Sequence, residues 1–155
     1  MRYLVYVGIF CLLFVFSVSG LSVAKTPEKV DSDALQSKIS QEKGKVVLVN
    51  FWTTACPHCR EEIQELKKLR EKFAENQLAI FGVAMERNKE KIRDFAQSRD
   101  INYSLYQGGR DVISTFGLQG VPTTYIYGLQ GEVQKNRAGF MSLEQLESIV
   151  NNLLE

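Results

Sequence analysis

The chain has 155 residues, enough for one domain of ordinary size, and its formal net charge is +1. This near balance of charge, with no basic tract interleaved with aromatic residues, argues against a nucleic-acid-binding protein. Of the three cysteines, Cys11 lies in an apolar N-terminal run, which leaves Cys56 and Cys59 in the rest of the chain. Two cysteines so close together close too short a loop to stabilise a fold by much, so a structural disulfide framework is excluded.

The first residues predict export. Arg2 precedes an uncharged run from Tyr3 to Val18, and Ser22 and Ala24 form a plausible small-residue cleavage site. The same run would serve as a membrane anchor if it is not cleaved, although it is short for a full span. Both alternatives stay open, and both place the rest of the chain where disulfides persist. We predict a signal peptide or membrane anchor over 1–24, a linker over 25–32 and one domain over 33–155.

Hydrophobic periodicity predicts alternating helices and strands along this domain. The spacing of Asp33 and Gln36 resembles a capping box and predicts a short helix over 33–41. The next segment, Val46–Phe51, is almost continuously apolar, as expected of a strand buried on both faces. A turn follows, and a helix begins at Pro57, because a proline lacks the N–H that would have no partner at the first helical position.

The second half of the domain continues this alternation. The predicted segments are a buried strand over 78–84, a helix over 88–99, a short extended segment over 103–106, one or two helical turns over 111–117, a hairpin of 120–127 with 132–137, and a final helix after Ser142. The order of elements predicts an α/β fold in three layers. A central, mostly parallel sheet with one antiparallel strand is expected to carry helices on both faces.

The sequence Cys56-Pro57-His58-Cys59 puts both cysteines in the first turn of the predicted helix. A helix N-terminus has a partial positive charge and free N–H donors, and both stabilise a thiolate. The pattern therefore predicts a site of thiol–disulfide exchange. His58, the only histidine, is either an exposed residue of the turn or a group that favours the Cys56 thiolate.

These motifs resemble the thioredoxin superfamily and, more closely, its TlpA/ResA-like branch. The resemblance covers about 33–154 and rests on the strand 46–52, the Cys-Pro-His-Cys motif, the segment 120–124 and Gly139. A C-x-x-C motif alone is a moderate signal, since zinc sites also use it. Its place after a buried strand and before a Pro-Thr-Thr strand makes the resemblance specific.

The resemblance implies roles for several residues. The peptide bond before Pro122 is expected to be cis, with Val121 and Pro122 presenting an extended edge to the substrate, and Trp52 is a further candidate for substrate binding. The ResA-like branch has a glutamate three residues after the second cysteine, where Glu62 stands. This match implies that Glu62 takes the proton of Cys59. By spacing alone, Glu62 could equally lie on a solvated face of the helix.

Some positions depart from the related patterns. Thioredoxin has a buried aspartate where this chain has Asn50, which cannot titrate. Ala55 stands where the branch often has tryptophan, and no proline follows Glu62, so a straighter helix is expected. The Pro-His dipeptide and Val121 are shared with DsbA, a strong oxidant, whereas the body of the chain resembles reductants.

The sequence as a whole predicts an exported thiol–disulfide oxidoreductase of a bacterial cell envelope that acts as a reductant, with a cytochrome c maturation-like role as one option. Cys56 is the predicted nucleophile, Cys59 the resolving thiol, Glu62 its proton acceptor and His58 a tuning residue. The implied partners are proteins with thiols or disulfides and a membrane or envelope redox protein. Neither a cofactor nor a resident metal is expected, and a monomer is favoured.

Three other functions were compared with this one. The Pro-His dipeptide favours a DsbA-like disulfide donor. Cys56, His58 and Cys59 offer soft ligands to Cu(I), as in a copper-binding module, but the sequence supplies no further histidine. Thr53 and Cys56 match the T-x-x-C pattern of peroxidases of the peroxiredoxin type, but the proline upstream of that pattern is absent.

Overall fold

The structure, a computed structural model, describes residues 27–155. The segment predicted as a signal peptide or anchor, 1–24, lies outside the described residues. Within 27–155, no helix combines the length and the apolar composition that crossing a bilayer requires.

Six strands and five helices alternate through the described residues. In chain order they are β1 (Glu28–Val30), α1 (Ser32–Gln41), β2 (Val46–Trp52), α2 (Pro57–Lys72), β3 (Leu78–Ala84), α3 (Lys89–Ser98), β4 (Ser104–Gly108), α4 (Arg110–Thr115), β5 (Thr123–Tyr127), β6 (Val133–Ala138) and α5 (Leu143–Leu154). The strands form one sheet in the order β1-β4-β3-β2-β5-β6. Strand β5 runs antiparallel to both of its neighbours, β2 and β6, and opposite in direction to the other five strands. The predicted α/β fold with one reversed strand is therefore confirmed.

Strand β2 lies at the centre of the sheet, and all seven of its residues are buried. Val47, Val49 and Phe51 face a core shared with α1 and α4, whereas Val46 and Leu48 face a core shared with α2 and α5. Successive side chains of a strand point to opposite faces, so a strand covered on both sides has to be apolar throughout. Asn50 is the one polar exception, and it faces α2.

The structure differs from the prediction at the start of the domain. Residues 28–30, predicted as part of the linker, form β1 and pair in parallel with 106–108 of β4. Helix α1 begins at Ser32 and is capped by Asp31, whose side chain accepts a hydrogen bond from the Ala34 N–H at 2.8 Å. A strand of three residues with a single buried side chain, Val30, has too little alternation to be recognised in a sequence.

Two further helices begin at their predicted capping residues. Asn88 caps α3, and Ser142 forms a capping box with Gln145 at the start of α5, as predicted. Together, the central strand β2 and its covering helices hold the N-terminus of α2 at the carboxyl end of β2, where the Cys-Pro-His-Cys motif lies.

Candidate active site

Cys56 and Cys59 form a disulfide at the N-terminus of α2, with their Cα atoms 5.2 Å apart. Cys56 is the N-cap residue, and its sulfur accepts a hydrogen bond from the Cys59 N–H at 3.1 Å. Pro57 occupies the first helical position, as predicted. Cys56 is partly exposed, whereas Cys59 is fully buried. The outer sulfur is therefore the one that a substrate can reach.

The surroundings of the helix N-terminus favour a thiolate on Cys56 once the disulfide is reduced. The sulfur sits where the N–H groups of the first turn point, and no acidic residue lies in that turn. The partial positive charge of the helix end and these donors both stabilise an anion. The helix end can thus supply a nucleophile at neutral pH.

A second loop approaches the same sulfur. The backbone carbonyl oxygen of Val121 lies 3.7 Å from the Cys56 sulfur, and the Val121–Pro122 peptide bond is cis. Val121 is partly exposed and Pro122 is buried, with the Pro122 carbonyl accepting a hydrogen bond from the Gly139 N–H at 2.9 Å. The loop therefore places a fixed, partly exposed stretch of backbone next to the reactive sulfur.

Beneath the disulfide lies a buried polar cluster. The side chain of Glu62 is completely buried on the inner face of α2, one turn beyond Cys59. Its Oε1 accepts a hydrogen bond from the Thr124 hydroxyl at 3.0 Å, and that hydroxyl accepts one from the Asn50 amide at 2.9 Å. The three residues belong to α2, β5 and β2, and Asn50 and Thr124 are paired in the sheet. The side chain lies in the protein interior, so the solvated-face alternative for Glu62 does not hold.

Burial raises the pKa of Glu62 from 4.5 to about 7. Desolvation disfavours the charged form, and the hydrogen bond from Thr124, the positive charge of Arg137 and the Asn50 side chain only partly offset it. Within the described residues, the second carboxyl oxygen, Oε2, is buried and has no hydrogen-bond partner. Glu62 can therefore gain and lose a proton near neutral pH beside the buried cysteine.

The turn that precedes Cys56 is held from β3. Glu86, just past the end of that strand, accepts hydrogen bonds from the backbone N–H of Thr54 at 3.2 Å and from its hydroxyl at 2.5 Å. Lys91 approaches the same carboxylate at 2.9 Å. These contacts tie the turn before the nucleophile to the start of α3, so the position of Cys56 does not depend on the helix alone.

Comparison with known proteins identifies the family to which this site belongs. A profile of the AhpC/TSA family matches residues 22–136. The thioredoxin-like protein YneN of Bacillus subtilis is 30% identical over 115 residues, which cover 72% of this chain and 67% of that protein. The thiol-disulfide oxidoreductase ResA of Oceanobacillus iheyensis is 26% identical over 127 residues, 81% of this chain and 65% of ResA.

The chain belongs to the AhpC/TSA family. Within the thioredoxin superfamily it is TlpA/ResA-like, as its motifs predicted, and it is a thiol–disulfide oxidoreductase. Among solved structures, a thiol:disulfide interchange protein of the thioredoxin family from Chlorobium tepidum superposes with a TM-score of 0.69. It is 25% identical, and the match covers 74% of this chain and 83% of that one. StoA from Bacillus subtilis, at 22% identity and a TM-score of 0.61 over 68% of this chain and 82% of StoA, shares the fold.

The remaining predicted site residues of this family member lie in different surroundings. His58 is exposed, and its Nδ1 lies 3.2 Å from a carboxylate oxygen of Glu61. Trp52 is completely buried under the cysteines, with its ring centroid 5.3 Å from that of Phe95. Because Trp52 does not reach the surface, its position argues against a direct contact with a substrate and makes it a supporting residue of the core.

No group of three or more His, Cys, Asp or Glu side chains within 27–155 is arranged to hold a metal ion. The copper-binding alternative would therefore rest on Cys56, Cys59 and His58 with a ligand from outside this part of the chain. The reduced dithiol is the only pair of thiols among these residues.

Sequence reasoning missed the residues that connect the site to the sheet. The motif that contains Thr124 assigns it no role, and Asn50, which cannot titrate, carries no predicted function. The Thr54–Glu86 contact was not predicted at all, since it joins loops 32 residues apart. One signal was available for Glu62. It lies three residues after Cys59 and four before Leu66, both of which face the core of α2.

Proposed function

We propose that this protein is an exported thiol–disulfide oxidoreductase that reduces disulfides in proteins of a bacterial cell envelope. The supporting features are the predicted export segment at 1–24, the partly exposed Cys56 and the ResA-like relatives. Disulfides persist in such compartments, so a reductant has substrates there. A role like that of proteins in cytochrome c maturation falls within this proposal, as does re-reduction by a membrane or envelope partner.

The reaction starts from the reduced dithiol. The Cys56 thiolate attacks one sulfur of a substrate disulfide, the substrate S–S bond breaks, and the other substrate sulfur leaves as a thiolate. A mixed disulfide now joins Cys56 to the substrate. Cys59 loses its proton to Glu62, and its thiolate attacks the Cys56 sulfur, which releases the second substrate sulfur. Two electrons have passed to the substrate, and the protein carries the Cys56–Cys59 disulfide.

One observation carries this proposal: a fully buried carboxyl group with a pKa of about 7 lies one helical turn from the buried cysteine. A buried thiol cannot readily ionise by itself, because the interior disfavours its charge. A base that titrates near neutral pH overcomes this obstacle, since a substantial fraction of it is unprotonated and that fraction is basic enough to take the proton.

Substrate binding is proposed at the loop beside Cys56. Val121 is partly exposed, its backbone approaches the reactive sulfur, and Pro122 fixes the direction of the chain there. An extended substrate segment that lies along this backbone brings its own disulfide to Cys56. His58, two residues after Cys56, contributes an exposed polar group.

A disulfide-donating function is the second candidate, because the Pro-His dipeptide and Val121 match DsbA. The two directions differ in the reduction potential of the Cys56–Cys59 pair, which equilibration of the full-length protein in glutathione buffers measures. A value near that of thioredoxin, about −270 mV, is expected and identifies a reductant. A value near that of DsbA, about −120 mV, identifies a disulfide donor. If no reversible intramolecular disulfide forms, both candidates fail and the copper-binding module becomes the better explanation.

The role of Glu62 is tested by the pH dependence of the resolving step. The variant Glu62→Gln removes the proton acceptor but keeps the shape of the side chain, and we expect resolution to slow about 10²-fold at neutral pH. The control Glu71→Gln changes an exposed carboxylate of the same helix and should leave the rate unchanged. A pH–rate profile in Glu62→Gln identical to that of the wild type would remove Glu62 from the reaction.

A further inference from the structure

A second buried hydroxyl, that of Tyr103, lies near the polar cluster of Glu62, Thr124 and Asn50, on the same face of the sheet. Tyr103 directly precedes β4, and its hydroxyl oxygen is buried without a hydrogen-bond partner among the described residues. Tyrosine hydroxyls in protein interiors normally find a partner, and each orphaned one calls for an explanation. The reaction proposed above does not use this group.

Gly82, a residue of β3 with no side chain, lets the Tyr103 ring lie close to the sheet on the face that Glu62 also covers. In the register of the strands, Thr124 pairs with Asn50, and Asn50 pairs with Gly82. A Cβ atom at Gly82 would lie 2.6 Å from the Leu105 side chain, 3.0 Å from the Tyr103 ring and 3.2 Å from the indole nitrogen of Trp52. Glycine therefore leaves the surface of β3 open and lets Tyr103 lie over the strand next to Asn50.

Thr124, Asn50 and Gly82 form a row across three neighbouring strands, and the Glu62 side chain approaches this row from α2. Its Oε1 is engaged by Thr124 at one end of the row, whereas its Oε2 is buried and unpartnered within 27–155. An ionised carboxylate can only accept hydrogen bonds, and a tyrosine hydroxyl can donate one. Asn50 Oδ1 and Trp52 Nε1, close by, are also buried without a partner within 27–155. The Asn50 oxygen can only accept, whereas the Tyr103 hydroxyl can donate and is therefore complementary to Oε2 of Glu62 on the same side of the sheet.

Electrostatics agrees with this placement. Burial, together with the negative charge of Glu62, raises the pKa of Tyr103 well above its usual range. The hydroxyl therefore keeps its proton throughout the pH range in which Glu62 titrates and remains a donor. The other charged or titratable groups near Glu62 are Arg137 on β6 and Cys59 on α2, while β2 and β5 present only Asn50 and Thr124.

We propose that Tyr103 is a positioning residue for Glu62: its hydroxyl donates a hydrogen bond to one bridging water, which in turn donates to Oε2 of the ionised carboxylate. Thr124 and Tyr103 then hold the two carboxylate oxygens from opposite ends of the row. When the carboxyl takes the proton from Cys59 it becomes a weaker acceptor, so this contact stabilises mainly the ionised form. The inference rests on the proposed role of Glu62 as the proton acceptor.

The test follows Glu62 directly, without activity. In the oxidised full-length protein neither Cys56 nor Cys59 titrates, so the carboxyl ¹³C resonance of Glu62 reports its own protonation. Tyr103→Phe removes only the hydroxyl and should raise the titration midpoint by about half to one pH unit, the effect of one lost hydrogen bond to the charged form. Tyr127→Phe, a largely buried tyrosine on the other face of the sheet, is the matched control and should leave the midpoint in place.

Two results would overturn the inference. One is a Glu62 midpoint in Tyr103→Phe equal to that in the wild type. The other, which needs no variant, is a phenolic ¹³C resonance of Tyr103 in the wild type that does not change as Glu62 titrates; this measurement decides the matter if Tyr103→Phe does not fold. Failure of the proposed function looks different, because then Glu62→Gln leaves the resolving step unchanged whatever Tyr103 does.

Discussion

Two cysteines joined in one disulfide lie in opposite surroundings, although only Pro57 and His58 separate them. Cys56 caps α2 at the surface, beside an exposed histidine and a loop that is open to solvent. Cys59 is fully buried one turn deeper, above Glu62 and the hydrogen bonds that connect it to the sheet. Charges near Cys56 act through water and are screened, whereas those near Cys59 act through the protein interior.

The contrast shows how one helix turn can divide the reaction. The outer sulfur needs only what a helix N-terminus provides, a place where an anion is stable. The inner sulfur must stay protonated until the mixed disulfide exists and then lose its proton in a medium that disfavours charge. This second requirement explains why Glu62 is buried, although burial disfavours its charged form. Substitutions around Cys59 should therefore change the pH dependence of the reaction, and substitutions around Cys56 should have effects that depend on salt.

Replacing each cysteine with serine should separate the roles of the two sulfurs most clearly. With glutathione disulfide as substrate, Cys59→Ser should accumulate a stable mixed disulfide at Cys56, because no resolving thiol remains. Cys56→Ser should remain unmodified, since the sulfur of Cys59 is buried. Mass spectrometry of the two variants after acid quenching distinguishes these outcomes. Equal labelling of both variants would contradict the assignment of nucleophile and resolving thiol.

The buried side should also show in the stability of the oxidised protein. The pKa of Glu62 is raised from 4.5 to about 7 on folding, so between these values the unfolded chain loses the proton before the native protein does. Stability should therefore fall as the pH rises from about 4.5 to about 7, by up to about 3 kcal/mol, and level off above. Glu62→Gln should lack this fall, and Glu71→Gln should retain it, in urea denaturation at a series of pH values. A pH dependence of Glu62→Gln that matches the wild type would rule out the titration.

The sequence was informative wherever one local pattern determined the structure. Three kinds of local signal predict their elements correctly: the apolar run of β2, Pro57 at the start of α2, and the capping residues Asn88 and Ser142. Each of them reflects the energetics of a single element. The fold followed from the order of those elements. Strand β1 was missed, because three residues with one buried side chain carry almost no pattern.

The interior of the site was much harder to predict, because it is assembled across the sheet. The contact of Glu62 with Thr124 joins residues 62 positions apart, and that of Asn50 with Thr124 joins residues 74 apart. Their meeting depends on the strand register, and a shift by one residue would turn each side chain to the opposite face. Helical spacing alone could place Glu62 near Cys59, but it could not show what holds the carboxyl group there.

Thr124→Val tests which contact sets the proton affinity of Glu62. Valine keeps the shape but removes the hydroxyl that donates to Oε1 of Glu62. The charged form of Glu62 loses a donor, so its pKa should rise above about 7, and the pH–rate profile of resolution should move to higher pH by about half a unit to one unit. Thr123→Val is the control, because the Thr123 hydroxyl donates instead to the Gly120 carbonyl at 2.8 Å. An unshifted profile in Thr124→Val would show that this hydrogen bond does not set the proton affinity of Glu62.

The smallest effect is expected on the exposed side, at His58. Its side chain is 72% exposed and lies 3.2 Å from the Glu61 carboxylate, so any charge on the ring is both solvated and partly offset. His58→Asn should slow alkylation of reduced Cys56 by iodoacetamide less than about fivefold at low salt, and Glu61→Gln should accelerate it by a similar or smaller factor. Both effects should fade at about 0.5 M salt, where screening acts over a few ångströms. A large effect of His58→Asn that persists at high salt would mean that the histidine acts on Cys56 from a desolvated position. It would contradict the idea that charges near Cys56 are screened and those near Cys59 are not.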